Sequence, residues 1–143
     1  MKNKTKNILV IVAHQDDESI GMGGTISKHI SEGDDVFVMY MTDGVSARES
    51  NKKEILKRRK CALIAAETLG FEWLSSPMLP DNGLDSIPLL KVVKFIEEIK
   101  DKVNPDIIYT HSGADLNIDH RVTFEATLTA FRPQPNETWT EIR

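Results

Sequence analysis

The chain of 143 residues holds a single cysteine, Cys61. An internal disulfide framework is therefore excluded, and the usage fits a reducing cytoplasm. Cys61 lies within a helical pattern with no Cys or His beside it, so it reads as a packing residue rather than a nucleophile. No excess of positive charge is present: the formal net charge is −4, which argues against a nucleic-acid surface. No apolar run is long enough to form a membrane segment. The basic start, Lys2-Asn3-Lys4-Thr5-Lys6, leads into a short apolar run that ends in acidic residues. It reads as a solvated tail and not as a signal peptide. Internal repeats and low-complexity segments are also missing. What is left has the length of one domain with one core, spanning 1–143.

Strand and helix patterns alternate along this length. Ile8-Leu9-Val10-Ile11-Val12 is an apolar run of the kind that forms a buried strand. Ser19 to Glu32 reads as a helix ending at Gly33, and Val36 to Met41 as a second strand closed by Thr42-Asp43-Gly44. A polar loop runs through Ser50. Asn51 to Leu69 is expected to be helical, with Ile55, Leu56, Ala62, Leu63, Ala66 and Leu69 as its apolar stripe. Phe71 to Leu74 reads as a short third strand. Pro88 opens a helix with Leu89, Val92, Val93, Ile96 and Ile99 on one face. Asp106 to Thr110 is a fourth strand, and a last helix runs from about His120 to Phe131. This order predicts an α/β fold, a Rossmann-like three-layer sandwich with a mainly parallel sheet. Thr138 to Arg143 starts like a strand but stops before it can pair, as expected of a chain shortened at its C-terminus.

Two polar clusters follow the first and fourth strands, where the loops of such a sheet can meet over one crevice. The first is His14, Asp16, Asp17 and Glu18; the second is His111, Asp115, Asn117, Asp119 and His120. Taken singly, each reads as a solvated loop or a helix cap. Their joint occurrence after apolar strands points to a metal. A hydrolytic zinc site needs three protein ligands and one open position. His14 and Asp17 supply two, and a histidine of the second cluster supplies the third. Asp16 is then a carboxylate suited to take a proton from water. Spacing alone leaves His111 and His120 both open. The first turn of a helix disfavours imidazolium, and a ligand must be neutral, which tilts the choice to His120. Asp119 can fix the tautomer of an imidazole. Glu18 reads as a helix-start residue, His29 as structural, and Gly21, Gly23 and Gly24 as sites of close helix–strand packing.

These residues resemble the PIG-L/LmbE-like zinc-dependent de-N-acetylases, which act on N-acetylglucosamine-containing substrates. The family's Ala-His-Pro-Asp-Asp-Glu motif corresponds to Ala13-His14-Gln15-Asp16-Asp17-Glu18. Its Gly-Gly, Thr-Asp-Gly, His-x-Asp-His and Arg-Pro elements correspond to Gly23-Gly24, Thr42-Asp43-Gly44, Asn117-Ile118-Asp119-His120 and Arg132-Pro133. The resemblance implies a hydrolase that removes an acetyl group from a small-molecule N-acetylated sugar. It implies Zn2+, or another divalent transition metal, on His14, Asp17 and His120, with Asp16 as general base and Asp119 supporting the histidines. Arg58 and Asp81 match positions that contact substrate hydroxyls. The resemblance leaves a homo-oligomer open. Two residues depart from the pattern: Gln15 replaces a proline, and Asn117 replaces a histidine. Asn117 can donate a hydrogen bond to an oxyanion but cannot act as a proton donor, a loss on the order of 100-fold in rate.

Two other readings remain open at this point. A receiver-like phosphoacceptor module also places an acidic pair after its first strand, to bind magnesium. It needs an acceptor Asp after the third strand, where only the distant Asp81 stands. A weakened member of the resembled family would bind only a metal or a partner.

Overall fold

An unbroken apolar run such as Ile8 to Val12 is at rest only where both faces of a strand are covered. The computed structural model, which describes residues 5–47 and 52–143, puts this run at the centre of a five-stranded sheet. β1 (Asn7–Val12) lies between β2 (Asp35–Tyr40) and β4 (Ile107–Tyr109); β3 (Glu72–Trp73) lies outside β2, and β5 (Glu141–Ile142) outside β4. All pairings are parallel, with Ile8 opposite Val36 on one side and Ile107 on the other.

Successive side chains of β1 point to opposite faces. Ile8, Val10 and Val12 join Val36, Val38 and Tyr40 in a core with Ile26 of α1 (Asp17–Glu32) and Ala66 of α2 (Lys52–Leu69). Leu9 and Ile11 join Met39 in a second core with α3 (Leu89–Val103) and α4 (Ile118–Ala130). This is the expected α/β fold of three layers with a parallel sheet. Helix α3 shows why: Val92, Val93, Ile96, Ile99 and Val103 recur at helical spacing and are buried. Each such side chain contributes about 1.5–3 kcal/mol on leaving water. Helix α1 ends in a Schellman cap. Gly33 takes φ 88°, and the N–H groups of Asp34 and Gly33 donate to the carbonyls of His29 and Ile30. Among the described residues no helix is long and apolar enough to cross a membrane.

Several expectations need correction. Cys61 is exposed, so it does not pack. Helix α2 buries Ala62 and Ala66, whereas Leu56 and Leu63 face solvent. The strand beneath its outer side, β3, has only two residues, so there is little sheet for a full stripe to cover. Leu89 likewise lies outside the buried face of α3. The glycines of α1 do not mediate close helix–strand packing. A Cβ on Gly21 or Gly24 would meet nothing within 4 Å, and one on Gly23 would touch only Leu69 of α2. They instead surround a kink at Met22, whose φ of −147° interrupts the helix. The final segment does pair. Glu141 and Ile142 lie beside Ile107 and Ile108, and Arg143 N donates to the Ile108 carbonyl at 2.8 Å. Two residues suffice because β4 is itself short and Trp139 seats edge-on against Phe131. The expected loop end at Ser50 and helix start at Asn51, like residues 1–4 of the basic start, lie outside the described residues.

From β1 the chain steps outward through β2 and β3, then returns to the other side of β1 for β4 and β5. The strand order reverses between β1 and β4. Ligands of open α/β sheets bind at such a switch point, beyond the C-terminal strand ends.

Candidate metal centre

Beyond Val12 the backbone stays tied to its neighbours. Thr42 N and Thr42 Oγ1 both donate to the Ala13 carbonyl, each at 2.9 Å. The chain then turns sharply. His14 N donates to Asp17 Oδ2 at 2.8 Å, which fixes the Asp17 carboxylate as α1 begins. Across the switch point, Asn117 Oδ1 accepts from the N–H groups of Asp119 and His120 and so caps α4. The cap places His120 in the first turn of that helix, facing the β1 loop.

The two loops bring three donor atoms together. His14 Nδ1 lies 3.3 Å from Asp17 Oδ2 and 3.2 Å from His120 Nε2, and His120 Nε2 lies 3.4 Å from Asp17 Oδ2. Zinc bonds of about 2.0–2.1 Å at tetrahedral angles put neighbouring ligand atoms about 3.3 Å apart. The spacing and the donor set of two imidazole nitrogens and one carboxylate oxygen therefore fit such an ion. The remaining nitrogens are held as metal-binding imidazoles require. His14 Nε2 is 3.2 Å from Asp119 Oδ2 and 3.1 Å from Asp81 Oδ1. His120 Nδ1 is 2.9 Å from Asp115 Oδ2.

His111 also reaches this cluster, with its Nε2 3.4 Å from Asp17 Oδ2. Ala13 N donates to His111 Nε2 at 2.8 Å, which occupies the lone pair a metal would need. The His111 ring stacks on His120, with centroids 3.8 Å apart. It thus braces His120.

The electrostatics point the same way. Burial disfavours the His14 imidazolium, yet its contacts with Asp119 and Asp17 outweigh burial and push its pKa up to about 10. Burial likewise opposes ionisation of Asp17, but the surrounding His111 and His14 groups hold its carboxyl well below the usual range. The carboxylates around these rings call for positive charge at their centre. Asp119 has no exposed surface and accepts from Asn82 N at 2.6 Å and Leu84 N at 3.0 Å, besides its contact with His14. It is not a helix cap; it ties the 80–84 loop to the centre and brings Asp81 to His14.

Asp16 contributes no side-chain cap to α1. Its Oδ2 is held by Arg58 at 2.8 Å, and 42% of the side chain remains exposed. Arg58 thus reaches the cluster through Asp16, whereas Asp81 contacts His14 directly. Thr42-Asp43-Gly44 has a local role: Asp43 Oδ1 accepts from Val45 N and Ser46 N, and Ser46 Oγ accepts from Asp81 N. A cleft of about 490 Å3 opens beside Asp17, His111 and His120, with Tyr109 and Arg143 on its far wall. Asp16, Arg58 and Asp81 are not among its walls.

Sequence reasoning gave Asp115 no role, although a signal existed. Asp115 Oδ1 accepts from Asn117 N at 2.9 Å, an Asx turn two residues before the cap, which leaves Oδ2 for His120. Glu18 does start the helix, but it is also buried beside Tyr40, and burial pushes its carboxyl up.

Comparison with known proteins supplies the context. A family profile described as "PIG-L: GlcNAc-PI de-N-acetylase" matches residues 9–131. "Uncharacterized deacetylase YaiS" of Escherichia coli is 28% identical over 138 residues, covering 93% of this chain and 72% of that protein. The diacetylchitobiose deacetylase of Thermococcus kodakarensis is 32% identical over 111 residues, covering 74% of this chain and 40% of that protein. The solved N,N'-diacetylchitobiose deacetylase from Pyrococcus horikoshii superposes with a TM-score of 0.79 at 30% identity, covering 94% of this chain and 53% of that one. The chain thus spans about half the length of that solved relative. The receiver-like reading, which assigns nothing to His14 or His120, has no place beside this match.

Proposed function

The chain belongs to the PIG-L de-N-acetylase family, and from that premise we propose that it is a metal-dependent amidohydrolase acting on an N-acetylglucosamine-type sugar or sugar conjugate. The observation that carries this reading is the triangle of His14 Nδ1, Asp17 Oδ2 and His120 Nε2 at zinc-ligand spacing, next to the accessible carboxylate of Asp16. Bound there, zinc would polarise the acetyl carbonyl and lower the pKa of water from about 15.7 to about 7.

The chain's own residues do the rest. Asp119 and Asp115 keep the two imidazoles oriented. Arg58 holds Asp16, which takes a proton from the attacking water. The oxygen of that water forms a bond to the acetyl carbon, and the carbon–nitrogen bond then breaks. Asp16 returns the proton to the departing nitrogen, so the products are acetate and a free amine. This return covers for the family histidine at position 117. Asn117 Oδ1 is engaged in the helix cap, so any contact with the developing oxyanion falls to Nδ2. Arg58 and Asp81 meet the sugar hydroxyls. The names of the chitobiose deacetylases support an N-acetylated sugar as substrate.

The test is acetate release from N-acetylglucosamine and N,N'-diacetylchitobiose by the zinc-loaded chain. Release should stop with a chelator and fall about 100- to 10,000-fold in Asp16→Asn. Release that survives Asp16→Asn, or a zinc-loaded chain that releases none, contradicts the reading.

A further inference from the structure

Helix α2 concentrates positive charge in a chain that has none to spare. The formal net charge is −4, yet of the nine residues 52–60 six are Lys or Arg and one, Glu54, is acidic. Arg58 turns inward to Asp16. Lys52, Lys57, Arg59 and Lys60 are exposed, and among the described residues none of these forms an ion pair. The same outward face holds large apolar side chains: Leu56 is 66% exposed, Leu63 47% and Ile64 53%. Helical periodicity puts Leu63 and Ile64 within about 80° of Leu56, with Lys60 between them and Arg59 and Lys57 on the two flanks. Ala62 and Ala66 take the buried side. A hollow of about 400 Å3 adjoins the face, lined by Arg59 and Leu63 of α2, Trp73 of the edge strand β3, Leu74 and Met78. Trp73 Nε1 donates to Ser76 Oγ at 3.1 Å, and the Arg59 guanidinium lies 5.6 Å from the indole ring centroid.

We propose that this face of α2 docks on the anionic surface of a phospholipid bilayer. Leu56, Leu63 and Ile64 enter the boundary between headgroups and acyl chains. The lysine stems lie along them and keep the ammonium groups at headgroup level. A nucleic acid would answer the cations but not the leucines. A second copy of the chain would answer the leucines but bring like charges together, with only Glu54 and Glu67 on the helix to offset them. An anionic bilayer answers both. The contact is peripheral, since among the described residues no helix is long and apolar enough to cross a membrane. Through Arg58 and Asp16 the helix borders the metal centre, so docking holds that centre close to the bilayer.

Sedimentation of the full chain with vesicles tests this, using phosphatidylcholine alone and phosphatidylcholine with about 30% phosphatidylserine, at about 0.1 M salt. The chain should pellet with the anionic vesicles and stay in solution with the neutral ones. A basic residue at such a surface contributes about fivefold in affinity, so Lys57→Gln with Lys60→Gln should weaken binding about 25-fold. Leu56→Gln with Leu63→Gln should weaken it about 30-fold, because each side chain still has about half of its surface to bury. All four positions are exposed, so urea midpoints should stay close to wild type. No binding to the anionic vesicles overturns the proposal, as does equal binding to the neutral ones. Binding that survives the leucine double variant also overturns it, and points to a polyanion such as a nucleic acid. A dimer that is lost in that variant, with no vesicle binding by wild type, overturns it in favour of a second copy.

Discussion

Asp115→Asn should weaken zinc binding by about 10- to 100-fold, equivalent to about 1.4–2.7 kcal/mol, without unfolding the chain. Asp115 is placed outside the ligand set, yet its Oδ2 lies 2.9 Å from His120 Nδ1. An ionised carboxylate there can only accept, so it keeps the His120 proton on Nδ1 and leaves Nε2 free as a donor to metal. The Asn117 N–H comes first and His120 second among the groups that hold Asp115 below the usual carboxylate range. In Asp115→Asn the side-chain oxygen can keep the turn bond from Asn117 N, and an NH2 group then faces His120 Nδ1. That favours the tautomer with the proton on Nε2, where it blocks the metal. The turn and the α4 cap survive, so a urea midpoint close to wild type separates this effect from unfolding. Competition against a chelator of known zinc affinity measures the change. An affinity within twofold of wild type would refute the argument that Asp115 sets the His120 tautomer.

Asp119→Ala should cost about 3–5 kcal/mol in urea unfolding, because it leaves His14 Nε2 and the N–H groups of Asn82 and Leu84 without their buried acceptor. Asn117→Ala should cost about 0.5–2 kcal/mol through loss of the α4 cap. Asn117→His, on the reading above, should raise acetate release. Asp34 gives a pH prediction. Burial opposes its ionisation, but His29 and the Lys6 N–H outweigh burial and hold its carboxyl below the ordinary value. A lowered native pKa means that its stabilisation is fully present above the unfolded value of about 3.9 and fades as pH falls through the native one. Asp34→Asn should therefore flatten the acid limb of a stability profile, read as urea midpoints against pH.

The core of the fold was legible because its signals are dense. An apolar run such as Ile8 to Val12 has few other resting places than a covered central strand, and once α/β alternation is granted the loops after β1 and β4 must meet. The pairing of His14 with His120 followed from that meeting. Less could be read where packing, not pattern, decides. Leu56 and Leu63 fit a helical stripe as well as Ala62 and Ala66 do, yet they stand in solvent beside a β3 of two residues. Trp139 gave no sign that it would seat β5 against Phe131. Asp119 is legible as a carboxylate that orients an imidazole; that its partner is His14, and that Asn117 two residues earlier takes the cap, is set by the fold. Gln15 could be seen only as a departure from a motif; its side-chain contacts are with Thr42 and Met78, 27 and 63 residues onward.

The central claim is that His14, Asp17 and His120 close one metal site. Zinc content of the purified chain and of Asp17→Ala, after dialysis against weak chelator, tests it most directly. Wild type should retain one zinc per chain and Asp17→Ala none. Retention of one tightly bound zinc by Asp17→Ala, or none by wild type, would contradict it.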